Sequence, residues 1–210
     1  GPNFEKAYDM IKAYDPSRPV QYEQAGQNGK TDIFCPMYYG YWGCEAYAKG
    51  DNPRPLIQCE YAHAMGNSMG GFKEYWDLVR KYPKYQGGFI WDFVDQGLRV
   101  KNKQGKDIYA YGGDFGRYPA SDHNFNNNGI INPDRKPNPH ANEVRYFYQD
   151  IWVTAKDLKT GEVEVYNEYF FKPLDNVSLQ WTLECEGETV GSGQMDLDVQ
   201  PQQRKVVKLE

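Results

Sequence analysis

The chain has 210 residues, a formal net charge of −5 and 16% aromatic residues, a length that suits one domain or two small ones. The negative charge argues against nucleic acid or an anionic membrane as partner. No run approaches a membrane span, and the first residues read as the start of a helix rather than as a signal peptide.

The four cysteines, Cys35, Cys44, Cys59 and Cys185, form no CxxC pair and no zinc-type spacing. Cys35 and Cys59 lie in apolar runs and read as buried thiols, which points to a cytoplasmic location with the periplasm as the alternative. Excess tyrosine and tryptophan suits sugar binding, because their faces stack on the apolar side of a pyranose. The same residues serve equally well as core.

In chain order, Asn3 can cap a helix whose apolar positions are Phe4, Ala7, Tyr8 and Ile11. Asp15-Pro16 ends it, because the residue before a proline avoids the helical region. Pro19 to Glu23 reads as a short strand, Gln24 to Thr31 as a loop and Asp32 to Tyr38 as a second strand. Residues 40–54 read as a loop with a short helix near Glu45 to Lys49. Leu56 to Glu60 is the third strand, Ser68 to Tyr82 a long helix, and Gly87 to Val94 the fourth strand. These strands are nearly continuous apolar runs, as expected when both faces are buried. Strand, connection, strand at such spacing indicates parallel βα units.

Val100 to Asp107 reads as a hairpin excursion. Gly112 to Pro139 is a long loop of the kind that is usually functional, and Asn138 to Phe147 is a last helix. From Ile151 the pattern alternates, in Glu162 to Tyr166, Ser178 to Cys185 and Lys205 to Leu209. Alternation with turn residues between the runs indicates a partial antiparallel β-sandwich. The domains expected are 1–150 and 151–210.

The chemistry concentrates in Pro55-Leu-Ile-Gln-Cys-Glu-Tyr-Ala-His-Ala-Met-Gly-Asn67. A buried strand that delivers Glu60 and His63 to its C-terminal end, followed by a helix, is how α/β barrels build active sites. Glu23 also ends a strand and competes with Glu60; Asp92 and Asp95 compete too and read as structural. Spacing alone does not choose between the glutamates.

The wording Cys59-Glu-Tyr-Ala-His-Ala-Met-Gly-Asn-Ser68 resembles the nucleophile segment of the large β-galactosidases of glycoside hydrolase family 2. Asp15-Pro-Ser-Arg-Pro-Val-Gln-Tyr-Glu23, Gly87-Gly-Phe-Ile-Trp-Asp-Phe-Val-Asp-Gln96 and Tyr111-Gly-Gly-Asp-Phe-Gly116 agree with that family in the same order. The resemblance implies an α/β fold: the second half of a (β/α)8 TIM barrel, strands five to eight, followed by part of a β-sandwich. It implies a retaining hydrolase of terminal β-D-galactosides with Glu60 as nucleophile and Tyr38 against it. It implies His63, Trp91, Met37 and Asn128 as substrate-binding residues, and Phe125 and Asn128 as sodium ligands. β-Glucuronidase or β-mannosidase of the same family is the alternative, as is a non-catalytic carbohydrate-binding or assembly module.

The family's acid/base glutamate lies just before the helix that opens this chain, and its magnesium ligands lie upstream too. The expectation is therefore a piece of a larger, homo-oligomeric enzyme. Alone, that piece is expected to be inactive and to self-associate through open strand edges.

Overall fold

A computed structural model describes residues 1–116 and 121–210. The chain divides into two compact units, Gly1–Phe147 and Tyr148–Glu210. The long-loop expectation covers four positions, 117–120, that lie outside the described residues.

The first unit opens with α1, Pro2–Tyr14. The cap is Gly1, not Asn3; Pro2 takes the first turn, where a missing N–H costs nothing. The helix buries no residue outright. It is held by a Phe4–Tyr22 ring contact at 4.4 Å and by Asp32, whose carboxylate accepts from the Tyr8 hydroxyl at 2.6 Å and the Lys12 ammonium at 3.1 Å.

Pro19 to Glu23 does not form the expected strand. Val20 N–H donates to the Asp32 carboxylate at 2.8 Å and Tyr22 N–H to the Thr31 hydroxyl. Side chains take the donors that a ladder would use, and residues Glu23–Ala25 turn into a 3-10 helix. The 32–38 run is likewise reduced to isolated parallel bridges, Phe34 with Leu56 and Met37 with Glu60. Pro36 sits between them and has no N–H to give.

Helix α2 spans Tyr41–Lys49, longer than the short helix expected. Strand β1, Leu56–Tyr61, pairs in parallel with β2, Tyr85–Ile90. Between them α3 spans Phe72–Lys81. It starts later than expected because Gly66, Met69 and Gly71 all hold positive φ, which an α-helix cannot accommodate. Gly88 lets the strands approach: a Cβ there would lie 2.9 Å from the Tyr61 ring. The anticipated excursion is the antiparallel hairpin of β3, Leu98–Lys101, and β4, Asp107–Ala110. Helix α4, Ala141–Phe147, closes the unit.

Two cores follow from this order. Phe34, Cys44, Tyr47, Leu56 and Tyr85 pack together with Tyr39, Leu78 and Val79. Tyr61, Ala64, Met69, Phe72 and Val144 pack with Trp76, Ile90 and Phe147. Among the described residues, β1 and β2 form the only parallel ladder and no closed barrel is present.

The second unit holds two antiparallel sheets. One has the order β5, β6, β9, from Ile151–Asp157, Glu162–Asn167 and Arg204–Lys208; the other pairs β7, Ser178–Cys185, with β8, Glu188–Asp196. Strand β6 alternates half-buried and buried positions along its length, the period-two signature of one buried face. Its core is Val165, Leu174, Leu197 and Val199, with Leu179 from β7 and Val207 from β9 packed against it.

Candidate active site

Every sequence-predicted site residue lies at or just beyond the C-terminal ends of β1 and β2. Glu60 is the penultimate residue of β1. The Met37–Tyr38 segment runs alongside it: Met37 bridges Glu60, and Tyr38 N–H donates to the Glu60 carbonyl at 2.8 Å. Desolvation first, then the neighbouring Glu60 carboxylate, raise the Tyr38 hydroxyl far above the ordinary phenol range, so Tyr38 stays protonated and available as a donor.

The backbone is strained on both sides of this contact. Tyr38 and Ala62 each have φ 49, a region that costs a non-glycine residue about 1–3 kcal/mol and that collects at functional sites. Ala62 turns the chain so that His63 stands edge-on to Tyr38, ring centroids 5.8 Å apart. On its other side His63 meets the Phe125 ring at 5.6 Å.

The two strand ends are tied together. Trp91 N–H donates to the Tyr61 carbonyl at 3.2 Å and Ala64 N–H to the Trp91 carbonyl at 2.9 Å. The Trp91–Asp92 peptide is cis, and Asp92 N–H donates to the Asn128 carbonyl at 2.8 Å. So Trp91 and Asn128 come to the same end of the ladder as Glu60, although 68 positions of sequence separate Glu60 from Asn128.

The competing carboxylates separate by their partners. Both Asp95 oxygens are occupied, by Gly129 N–H at 2.7 Å and the Asn138 amide at 3.3 Å, which fits the structural reading. Asp92 accepts from Gln96 at 2.6 Å. Glu23 sits in the 3-10 turn and acts electrostatically on Cys35 and Cys59. Burial pushes the Cys35 thiol up to about 12, which keeps it protonated and unreactive at neutral pH.

Trp91 Nε1, Asp92 Oδ1, Asn126 Oδ1 and Asn128 Oδ1 are buried atoms without a hydrogen-bond partner among the described residues. Unsatisfied polar atoms cost stability, and four gathered near one strand end call for a polar partner, water or ligand, at that place. The sodium pair fits this pattern. The Asn128 amide nitrogen donates to the Phe125 carbonyl, and turning that amide over would set two oxygens on one point, the donor type a hard cation takes. Among the described residues no cluster of three His, Cys, Asp or Glu could hold a metal ion.

Sequence reasoning gave no role to Gln58. It is fully buried in β1 and bridges Tyr39 N–H to the Tyr85 hydroxyl. The available signal was a lone amide inside an apolar strand.

The family model "Glycosyl hydrolases family 2, TIM barrel domain" matches residues 1–153, and "Beta-galactosidase, domain 4" matches residues 163–210. A β-galactosidase of Photobacterium profundum is 44% identical over 224 aligned residues, covering 100% of this chain and 22% of the relative. "Beta-galactosidase 2" of Enterobacter cloacae is 42% identical over 215, covering 96% of this chain and 21% of the relative. A solved β-glucuronidase from Bacteroides uniformis overlaps 98% of this chain and 27% of its own at 14% identity, with a TM-score of 0.44, too loose an overlap to carry an argument. The chain thus spans about a fifth of the length of the curated relatives it matches. It belongs to glycosyl hydrolase family 2, with residues 1–153 in that family's TIM barrel domain.

Proposed function

We propose that this chain carries the nucleophile half of the active site of a retaining β-galactosidase. The carrying observation is the placement of Tyr38 against Glu60 at the end of β1, with Met37 bridged to Glu60 and Tyr38 N–H on the Glu60 carbonyl at 2.8 Å. In this reading the Glu60 carboxylate attacks the anomeric carbon, the bond to the leaving oxygen breaks, and a glycosyl ester forms. A general acid supplies the proton for the leaving oxygen and then, as base, removes one from the incoming water, which cleaves the ester. That acid belongs to a carboxylate outside these residues, as do the magnesium ligands.

Tyr38 keeps the carboxylate oriented for attack and stabilises it as it re-forms. His63, Met37, Asn128 and Trp91 bind the sugar, with the Trp91 ring as the stacking face. The Phe125 carbonyl and the Asn128 side-chain oxygen would hold a sodium ion, a hard cation that would supply positive charge for sugar hydroxyl oxygens. Galactosides are favoured over glucuronides and mannosides because the curated relatives are named β-galactosidases.

Within the same reading, β1 and β2 are strands seven and eight of the full barrel, and the 19–23 and 32–38 segments take the places of strands five and six. Residues 148–210 are part of an antiparallel sandwich. The isolated chain is inactive and self-associates, its full-length form is a homo-oligomer, and its free thiols suit the cytoplasm. The test is Glu60→Gln in the full-length protein: turnover of an activated galactoside disappears while affinity for a galactoside inhibitor stays within about threefold of the original, as differential transition-state binding requires. Retained turnover would end the nucleophile reading.

A further inference from the structure

The strongest unexplained feature is a set of buried hydrogen bonds around the peptide that follows Tyr38. Tyr39 N–H donates to Gln58 Oε1 at 2.7 Å. Gln58 Nε2 donates to the Tyr85 hydroxyl oxygen at 2.9 Å. Cys44 Sγ donates to the Tyr39 carbonyl at 3.5 Å. The Tyr75 hydroxyl reaches the same carbonyl at 3.1 Å. Gln58 and Cys44 are 0% exposed and Tyr85 is 1% exposed.

These bonds hold one peptide group on both sides, the N–H and the C=O of Tyr39. The residue before it is Tyr38, held at φ 49 with its own N–H on the Glu60 carbonyl. A tyrosine left to itself avoids that conformation, so something must over-determine it. Buried hydrogen bonds on both sides of the next peptide do so, because moving that peptide would leave the Gln58 amide oxygen unpaired in the core. Gln58 also lies two residues before Glu60 on the same strand. A single rigid element therefore carries both the carboxylate and the clamp that holds Tyr38 beside it.

We infer that Gln58, working through the Tyr39 peptide and braced by Tyr85, is a positioning residue that sets Tyr38 beside Glu60. This rests on the reading of Tyr38 and Glu60 given above. Placement matters at this scale, since about 1 Å of misalignment costs on the order of 100-fold in rate.

The test uses the full-length protein, turnover of a nitrophenyl β-galactoside, and the variants Tyr38→Phe, Gln58→Met and their double. Gln58→Met, similar in volume but without the amide, is expected to lower kcat by about 10- to 100-fold with KM within about threefold. In the Tyr38→Phe background the same change is expected to do almost nothing, because residues acting through one group are not additive. Tyr85→Phe removes the Gln58 acceptor and keeps the ring; it should show a smaller loss with the same non-additivity, and it carries the test if Gln58→Met fails to fold. Losses that multiply, or a folded Gln58→Met with the original kcat, overturn the inference. If Tyr38→Phe alone retains full kcat, the site reading fails instead, and the two failures are told apart by that single variant.

Discussion

Asp32 offers a stability prediction whose size and sign follow from its contacts. Its carboxylate accepts from Tyr8 at 2.6 Å, Val20 N–H at 2.8 Å and Lys12 at 3.1 Å. The Tyr8 hydroxyl, then the Val20 amide, hold it down at about 2 against an ordinary 3.8. Each unit of such a shift corresponds to about 1.4 kcal/mol, which gives an upper bound of about 2.5 kcal/mol. The Asp32 side chain is 28% exposed and its Lys12 partner 29%, so screening reduces this to about 1–1.5 kcal/mol.

The folded state lowers the proton affinity of Asp32. Its contribution is complete above the ordinary value of 3.8 and fades as pH falls toward about 2. Asp32→Asn should therefore destabilise the chain at pH 7 by about 1–1.5 kcal/mol, and the gap to wild type should close on acidification. Urea unfolding followed by circular dichroism across that range reads both numbers. A gap that is absent at neutral pH, or that widens in acid, would refute the argument.

Other expectations concern the site and the assembly. Trp91→Ala in the full-length protein should weaken galactoside affinity by more than the roughly 0.5–1.5 kcal/mol of a stacked ring alone, since Trp91 Nε1 is also a buried donor without a partner among the described residues; unchanged affinity restores the core reading. Asn128→Ala should abolish any difference in rate between sodium and choline chloride at equal ionic strength, and a surviving difference places sodium elsewhere. For the isolated chain, sedimentation should show dimers or larger species, because the partly bridged β1–β2 ladder leaves edges open; a monodisperse monomer contradicts this.

The sequence carried the elements that local chemistry determines. The apolar run before Glu60, the helix expected within Ser68 to Tyr82, and the period-two pattern after Ile151 all became elements close to where they were expected. Misreadings came where side chains captured backbone groups. Pro19 to Glu23 has strand-like composition, yet Asp32 and Thr31, about ten residues away, take its donors. The start of α3 was lost to left-handed residues, one of them Met69, whose side chain gives no hint of positive φ. The candidate site residues were proposed from the wording of their motifs, whereas their meeting depends on pairings such as Trp91 with Tyr61 and Asp92 with Asn128. The Gln58 contacts were illegible, because its partners stand 19 and 27 positions away and nothing local points to them.

The central claim is that Glu60 becomes covalently attached to the sugar. Incubating the full-length protein with a 2-fluoro galactoside that carries a good leaving group slows breakdown of the ester enough for it to accumulate. Proteolysis and mass mapping then locate the label. The account predicts a single adduct on the peptide that contains Cys59-Glu60-Tyr61, absent in Glu60→Gln. An adduct on Glu23 or Asp92, or none with a substrate that is turned over, would contradict it.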